Sequence, residues 1–243
     1  MPRGTLSLDQ IVRTAIALLD DEGLEGLNMR ALGKRLDSAA TAVYWHVKSK
    51  DNLVLLATDR VWGELTLPDP RAGGWRASAT AMATDLYRLF TRHPWLVQVF
   101  AAHVVYGESK ARHDEHQLAV YEAGGFTGAD ADRAATAVFT YVLGNAAGVA
   151  AAASVRRGLG RNGGGREHVD ASLAQAREIA ERFPRLRARA RTAAATGDAA
   201  SPGGTASPGG TASPGGTAFP GGAFAFGLQA LLDGLERDAS RPG

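Results

Sequence analysis

Apolar residues recur at spacings of three and four along most of the chain, the pattern of helices that bury one face. In residues 7–21, Ile11, Ala15, Leu18 and Leu19 share such a face, with Ser7 as an N-cap and Gly23 as a stop. Asn28 opens a short helix over 29–36, with Met29, Leu32 and Leu36 along one side. Asp37 and Ser38 interrupt the pattern before a second short helix over 39–46. Two short helices joined by so tight a turn form a helix-turn-helix. A longer helix over 49–65 follows, carrying Leu53, Leu56, Thr58, Val61 and Trp62. No segment alternates with the period of a strand, so the predicted fold class is all-α.

Pro68, Pro70, Gly73 and Gly74 mark a loop that divides this head from the rest. Helical runs are predicted at 75–93, 94–105, 110–124 and 129–157, then a glycine break at 160–165 and a helix over 167–195. The sequence SPGGTA then occurs at 201–206, 207–212 and 213–218 without change. Its composition cannot bury a core, so 197–221 reads as a disordered connector. The pattern recovers in an amphipathic helix over 224–236. The expected division is a helix-turn-helix domain at 1–50, a connecting helix at 51–67, and an effector-binding and dimerisation domain at 75–243.

Composition adds limits. The chain of 243 residues has no cysteine, which excludes disulfides and thiolate metal sites and suits a reducing cytoplasm. The first residues hold no apolar core of signal-peptide length, so a cytoplasmic location is expected. The pI of about 9.1 accompanies a net charge of only +2. DNA contact must therefore come from a few placed cations rather than a bulk positive field. Residues 134–155 are uncharged and long enough to cross a bilayer, but alanine dominates and Thr136, Thr140, Asn145 and Ser154 interrupt. A buried, interface-forming helix explains them better than a membrane span.

A recognition helix must be short and present small or polar side chains to the major groove from its N-terminal half. Ala39, Ala40, Thr41 and Tyr44 suit that task, and Val43 and Val47 are expected to face inward. Lys48 and Lys50 follow at the helix end, within reach of flanking phosphates.

At this point a family resemblance emerges. The stretch YWHVKSKDNL at 44–53 resembles the signature of the TetR family, and of its tetracycline-repressor branch in particular. AIALLDDEG at 15–23 and MRALGKRL at 29–36 are similar to that family's first two helices, and FAFGL at 224–228 with GLE at 234–236 to its last. The resemblance implies that Arg30 reaches a base edge, that Ala40, Thr41 and Tyr44 enter the groove, and that His46 and Lys50 lie near the phosphate backbone. Asp37 departs from the family, which places a left-handed glycine at this turn; aspartate tolerates that conformation at some cost.

The resemblance also implies an effector held inside the helical body. Candidate pocket residues are Trp62, Thr66, Met82, Leu86, Phe90, Phe100, His103, Gln117, Tyr121, Phe139, Tyr141 and Asn145, an apolar and aromatic set with a few polar anchors. Tetracycline itself fits poorly. Where its magnesium complex would need imidazole, amide and carboxylate groups, this chain carries Thr66, Met82, Phe100 and Gly148, and Gln117 alone keeps a matching side chain. An apolar or aromatic effector is expected.

Gly144, Gly148 and Ala152 fall four apart and leave a flat helix face for close contact. With Phe224, Leu228, Leu231 and Leu235 on the last helix, they form the expected interface of a homodimer built on a four-helix bundle, which would read a palindromic site on double-stranded DNA. His113 and His116 share a helix face, but without a third ligand they read as part of a solvated charged surface, and no metal or cofactor is expected. The loop at 160–166 lacks the strand and lysine of a phosphate cradle. The sequence holds no nucleophile with its base and no paired carboxylates, so enzymatic function is not expected. The expected function is a ligand-released transcriptional repressor. An activator or ligand-independent regulator of the same fold, or a helical enzyme with a vestigial head, are the alternatives.

Overall fold

The computed structural model describes residues 6–70, 73–161, 165–196 and 222–239. The SPGGTA repeat lies outside the described residues. Those described form eleven α-helices and no strands. They are α1 (Leu8–Gly26), α2 (Met29–Arg35), α3 (Ala40–Val47), α4 (Lys50–Trp62), α5 (Trp75–Arg92), α6 (Trp95–Ala102), α7 (Glu108–Ala123), α8 (Ala129–Arg161), α9 (Gly165–Glu181), α10 (Pro184–Thr196) and α11 (Gly222–Ala239).

Local chemistry sets the boundaries of the first four helices. Ser7 and Gln10 form a reciprocal capping box at the start of α1. Asn28 accepts from the Ala31 amide at 2.8 Å and Ser49 from the Asn52 amide at 3.0 Å, so α2 and α4 each begin on a side-chain cap. Gly23 adopts φ 73°, breaking α1 near its end as a stop residue should. Ile11, Leu18 and Leu19 of α1, Leu32 of α2, Val43 and Val47 of α3, and Leu53 and Val61 of α4 are all fully buried together. This small core is continuous with that of the body.

Two predicted boundaries need correction. The helix expected over 167–195 is two helices, because Pro184 lacks an amide donor and disfavours helical geometry at the residue before it. Arg182 and Phe183 instead close a tight turn, donating to the carbonyls of Ile179 and Ala180 at 3.1 Å each. The last body helix before the glycine-rich stretch, expected to end at 157, runs on to Arg161.

In the body, α8 packs against α5, α6, α7, α9 and α11, the placement of a bundle helix. It is also long and apolar enough, by composition alone, to cross a membrane. Phe224 of α11 stacks on Tyr87 of α5 with ring centroids 4.3 Å apart. Gly227 lets α11 approach α8, since a Cβ there would stand 2.3 Å from the Tyr141 hydroxyl.

The head is fastened to the body by polar contacts. Asp20 of α1 accepts from Trp95 Nε1 and pairs with His93 Nδ1, both at 2.7 Å. Asp59 of α4 accepts from the Lys110 amide at 3.0 Å and so caps α7 from a neighbouring helix. Truncating Asp20 would leave the buried imidazole and indole donors without an acceptor. Asp20→Ala is therefore expected to cost about 1.5 kcal/mol of stability, read as a lowered urea midpoint with unchanged slope. An unchanged midpoint would show that water replaces the carboxylate without loss.

Candidate nucleic-acid interface and effector pocket

The turn between α2 and α3 is built from two constraints. Asp37 adopts φ 47°, the left-handed conformation expected of it. Gly33 lies so close to the turn that an added Cβ would stand 2.7 Å from the Ser38 carbonyl oxygen. Lys48 also adopts a left-handed φ, 65°, as it closes α3 and donates its amide to the Tyr44 carbonyl. With Val43 and Val47 buried, α3 turns Thr41, Tyr44, Trp45 and Lys48 outward. Ala40 and His46 are half-buried, and Arg30 on α2 is exposed.

Two features of this surface differ from the sequence picture. Lys50 is half-buried and donates to the Leu24 carbonyl at 3.1 Å, so it closes α1 onto α4 instead of standing free beside the groove. Trp45, not singled out from the sequence, is 72% exposed. Its ring meets His46 edge-on at 5.0 Å and lies 5.5 Å from the Lys48 ammonium. An indole so exposed on a short helix has no packing role that would account for it. The signal was available in the sequence: Trp45 falls between Val43 and Val47, off the inward face.

In the body a narrow cleft separates α5, α7 and α8. It is lined by Ala79, Met82, Ala83 and Leu86, by His113, Gln117, Val120 and Tyr121, and by Val138 and Phe139. The free space is about 10 Å³, close to that of one water. Phe139 leads into an aromatic cluster, with Phe100 at 5.2 Å, and Trp62 a further 5.2 Å beyond Phe100. Phe90 packs against all three rings. Burial pushes the Tyr121 hydroxyl pKa well up, with the Gln117 side chain opposing in lesser part.

Of the pocket residues expected from the sequence, Met82, Leu86, Gln117, Tyr121 and Phe139 line the cleft, and Trp62, Phe90 and Phe100 form the adjoining cluster. Four lie elsewhere. Thr66 sits with Asp85 on the outer face of α5, its amide donating to that carboxylate at 2.8 Å. His103 ends α6 and stands 3.7 Å from Asp51 of α4. The Tyr141 hydroxyl donates to the Phe224 carbonyl at 2.9 Å, and Asn145 donates to the Tyr141 carbonyl of its own helix at 2.8 Å. Both belong to the packing of α8 and α11.

His113 reverses its expected place. It is only 3% exposed, lines the cleft, and meets the Trp62 ring edge-on at 6.3 Å. The two histidines diverge, since His116 Nε2 lies 2.5 Å from the Pro68 carbonyl oxygen. Among the described residues no three histidine, aspartate or glutamate side chains cluster as metal ligands. The spacing of His113 with Gln117 and Tyr121, four residues apart each time, marks one stripe of α7 and was the sign that it faces inward.

Of the residues expected at a dimer interface, Phe224 and Leu228 are buried inside their own protomer and Leu231 and Leu235 pack partly against its core. Gly144 and Ala152 are exposed and Gly148 is half-buried, with open space where a Cβ at either glycine would lie. Phe226, 79% exposed, is the large apolar side chain that α11 turns outward.

Comparison with known proteins accords with this architecture. Residues 67–201 match the tetracyclin repressor-like C-terminal domain, and residues 11–57 match the bacterial regulatory proteins of the tetR family. The chain is 38% identical over 140 residues to an HTH-type transcriptional regulator of Saccharopolyspora erythraea, covering 58% of this chain and 59% of that protein. It is 37% identical over 146 residues to the HTH-type transcriptional repressor DrrR1 of Streptomyces coeruleorubidus, covering 60% of this chain and 54% of that one. The match thus spans little more than half the length of these relatives. The structure of the TetR family protein ActR of Streptomyces coelicolor in complex with actinorhodin superposes with a TM-score of 0.68 at 24% identity, over 97% of this chain and 99% of that one. With its C-terminal domain matched over more than half the chain and its head matched separately, the protein belongs to the tetracycline-repressor family.

Proposed function

We propose that the protein is a sequence-specific, DNA-binding transcriptional repressor that acts as a homodimer in the cytoplasm and leaves its operator when a small apolar or aromatic ligand enters the helical body. The observation that carries the DNA-binding part is α3: anchored by Val43 and Val47, it holds Thr41, Tyr44, Trp45 and Lys48 to the outside. Its N-cap, Ala39, offers no side-chain acceptor, so the first-turn amides remain open to a phosphate. Arg30, Ala40, Thr41 and Tyr44 would read base edges while His46 and Lys48 meet the backbone; Lys50 would contribute by holding α4. The head corresponds to residues 1–50, the connecting helix to 51–67, and the effector and dimer domain to 75–243.

The repressor assignment draws support from DrrR1, named a repressor, and the ligand assignment from ActR, described with actinorhodin bound. The cleft is nearly closed without a ligand, so an effector must part the helices around it. Trp62, the last residue of α4, stands in the adjoining aromatic cluster, and α4 begins directly after the recognition helix. Displacing Trp62 would therefore move the head, and the effector would lower operator affinity by its preference for the displaced state. Two protomers would meet through the open α8 face of Gly144, Gly148 and Ala152, with Phe226 of α11 beside it, and the resulting symmetry would match a palindromic operator.

The experiment is selection from random-sequence duplexes followed by fluorescence anisotropy of the enriched site. Wild-type protein is expected to enrich a palindrome. Tyr44→Ala should lose about tenfold to hundredfold for that site, and Lys48→Ala should weaken all duplexes alike while reducing the salt dependence. Failure to enrich any sequence, with or without ligand, would sink the assignment.

A further inference from the structure

We infer that the cleft between α5, α7 and α8 selects an uncharged aromatic effector bearing a hydroxyl group, and that His113 and Trp62 together read that hydroxyl. This inference rests on the body being the effector-binding domain. Buried polar atoms in folded proteins are nearly always paired, so each exception calls for a partner that arrives later. Two of the exceptions here, His113 Nδ1 and Trp62 Nε1, belong to rings in contact with each other at the aromatic end of the cleft. The Asp114 carboxylate stands 3.7 Å from His113 Nδ1, beyond hydrogen-bond reach, and pairs with Lys110 on the outward side of α7.

The chemistry of the two edges is complementary. The indole N–H can only donate, and a neutral imidazole offers an acceptor nitrogen. A hydroxyl satisfies both at once, its oxygen accepting from Trp62 and its proton going to His113. Phe100 and Phe139 beside them supply the flat apolar walls that an aromatic ring system would occupy. None of the residues lining the cleft carries a formal charge apart from what His113 can gain. A carboxylate or an ammonium ion would enter without a counter-ion, a penalty far larger than that for a hydroxyl.

The test compares 2-naphthol, naphthalene, 2-naphthoate and 2-naphthylmethylammonium by titration calorimetry at neutral pH, using the full chain. Wild type is expected to bind 2-naphthol about tenfold more tightly than naphthalene, the worth of a well-made buried hydrogen bond. Both ions should bind more weakly than 2-naphthol. His113→Leu and Trp62→Phe, which keep volume, should each lower 2-naphthol toward the level of naphthalene while leaving naphthalene itself unchanged. An ion that binds as well as 2-naphthol, a hydroxyl preference that survives in both variants, or no saturable binding by any probe would overturn the inference. Operator binding by the ligand-free protein is measured on the same samples. Its loss alone would count against the regulator assignment, and its persistence without any hydroxyl preference would count against this inference alone.

Discussion

Gly33→Val should abolish selective DNA binding and lower the stability of the head by about 3 kcal/mol. The cause is a single distance: a Cβ at this position would stand 2.7 Å from the Ser38 carbonyl oxygen and 3.3 Å from the Ala40 amide nitrogen. Both atoms are backbone, so neither can turn aside as a flexible side chain would. Replacing glycine within a helix ordinarily helps by up to about 1 kcal/mol. That gain is smaller than the clash. The neighbouring Asp37 already holds a left-handed φ, so the turn has little freedom left to absorb a shift. The least costly relaxation swings α3 away from α2, which moves Thr41 and Tyr44 relative to Arg30. Operator affinity should fall at least about a hundredfold, because base-edge hydrogen bonds fail over such displacements. Gly33→Ala should show the same effects at smaller size, and circular dichroism should show helix content nearly unchanged in both. Normal operator affinity in Gly33→Val would mean that the turn between α2 and α3 is looser than its contacts imply.

The contrast between Gly33 and Asp37 shows what the sequence could reveal about the head. Its boundaries are written in local chemistry: the caps at Ser7, Asn28 and Ser49 and the stop at Gly23 each act within three or four residues. The inward positions Val43 and Val47 follow from helical period alone. Gly33 is different, because its reason for being glycine lies across the turn in the Ser38 backbone. Lys48 likewise gave no sign of its left-handed conformation, since lysine has no preference for it.

The pocket was harder to draw for a related reason. Periodicity says which residues share a face of a helix but not which neighbour that face meets. Met82 and Leu86 line the cleft, whereas Thr66 lies against the opposite side of the same helix, α5. Tyr141 and Asn145 look like pocket residues by type, but the rotation of α8 turns them toward α11. His113 was hidden by its company, a run of charged residues that reads as solvent-facing until it is aligned with Gln117 and Tyr121. Phe224 and Leu228 were assigned to a subunit interface because amphipathicity cannot tell a face buried within one chain from one buried between two. Pro184 was the plainest signal left unused, as its effect on the preceding turn is fixed by its own ring.

The largest change in stability should follow Trp62→Ala, at about 4 kcal/mol. Trp62 is 2% exposed and touches Phe90, Phe100 and His113, so its removal empties the centre of the aromatic cluster at the junction of α4 with the body. The fold should survive, because the loss is smaller than the stability typical of a domain. The hole has the shape of the side chain that left it, and its lining rings cannot close fully without breaking their own contacts. Millimolar indole should therefore raise the melting temperature of Trp62→Ala and leave that of wild type unchanged, since a ligand stabilises in proportion to its occupancy of the folded state alone. The same variant separates stability from coupling. With α4 no longer tied to the cluster through its last residue, effector binding should cease to change operator affinity, while ligand-free protein still binds DNA below its melting temperature. Adding indole should restore the melting temperature without restoring release, because free indole fills the cavity but is not bonded to α4. If effector still releases Trp62→Ala from DNA as it does wild type, the connection between pocket and head runs through other contacts, of which Asp59 with the α7 amide of Lys110 is the next to test.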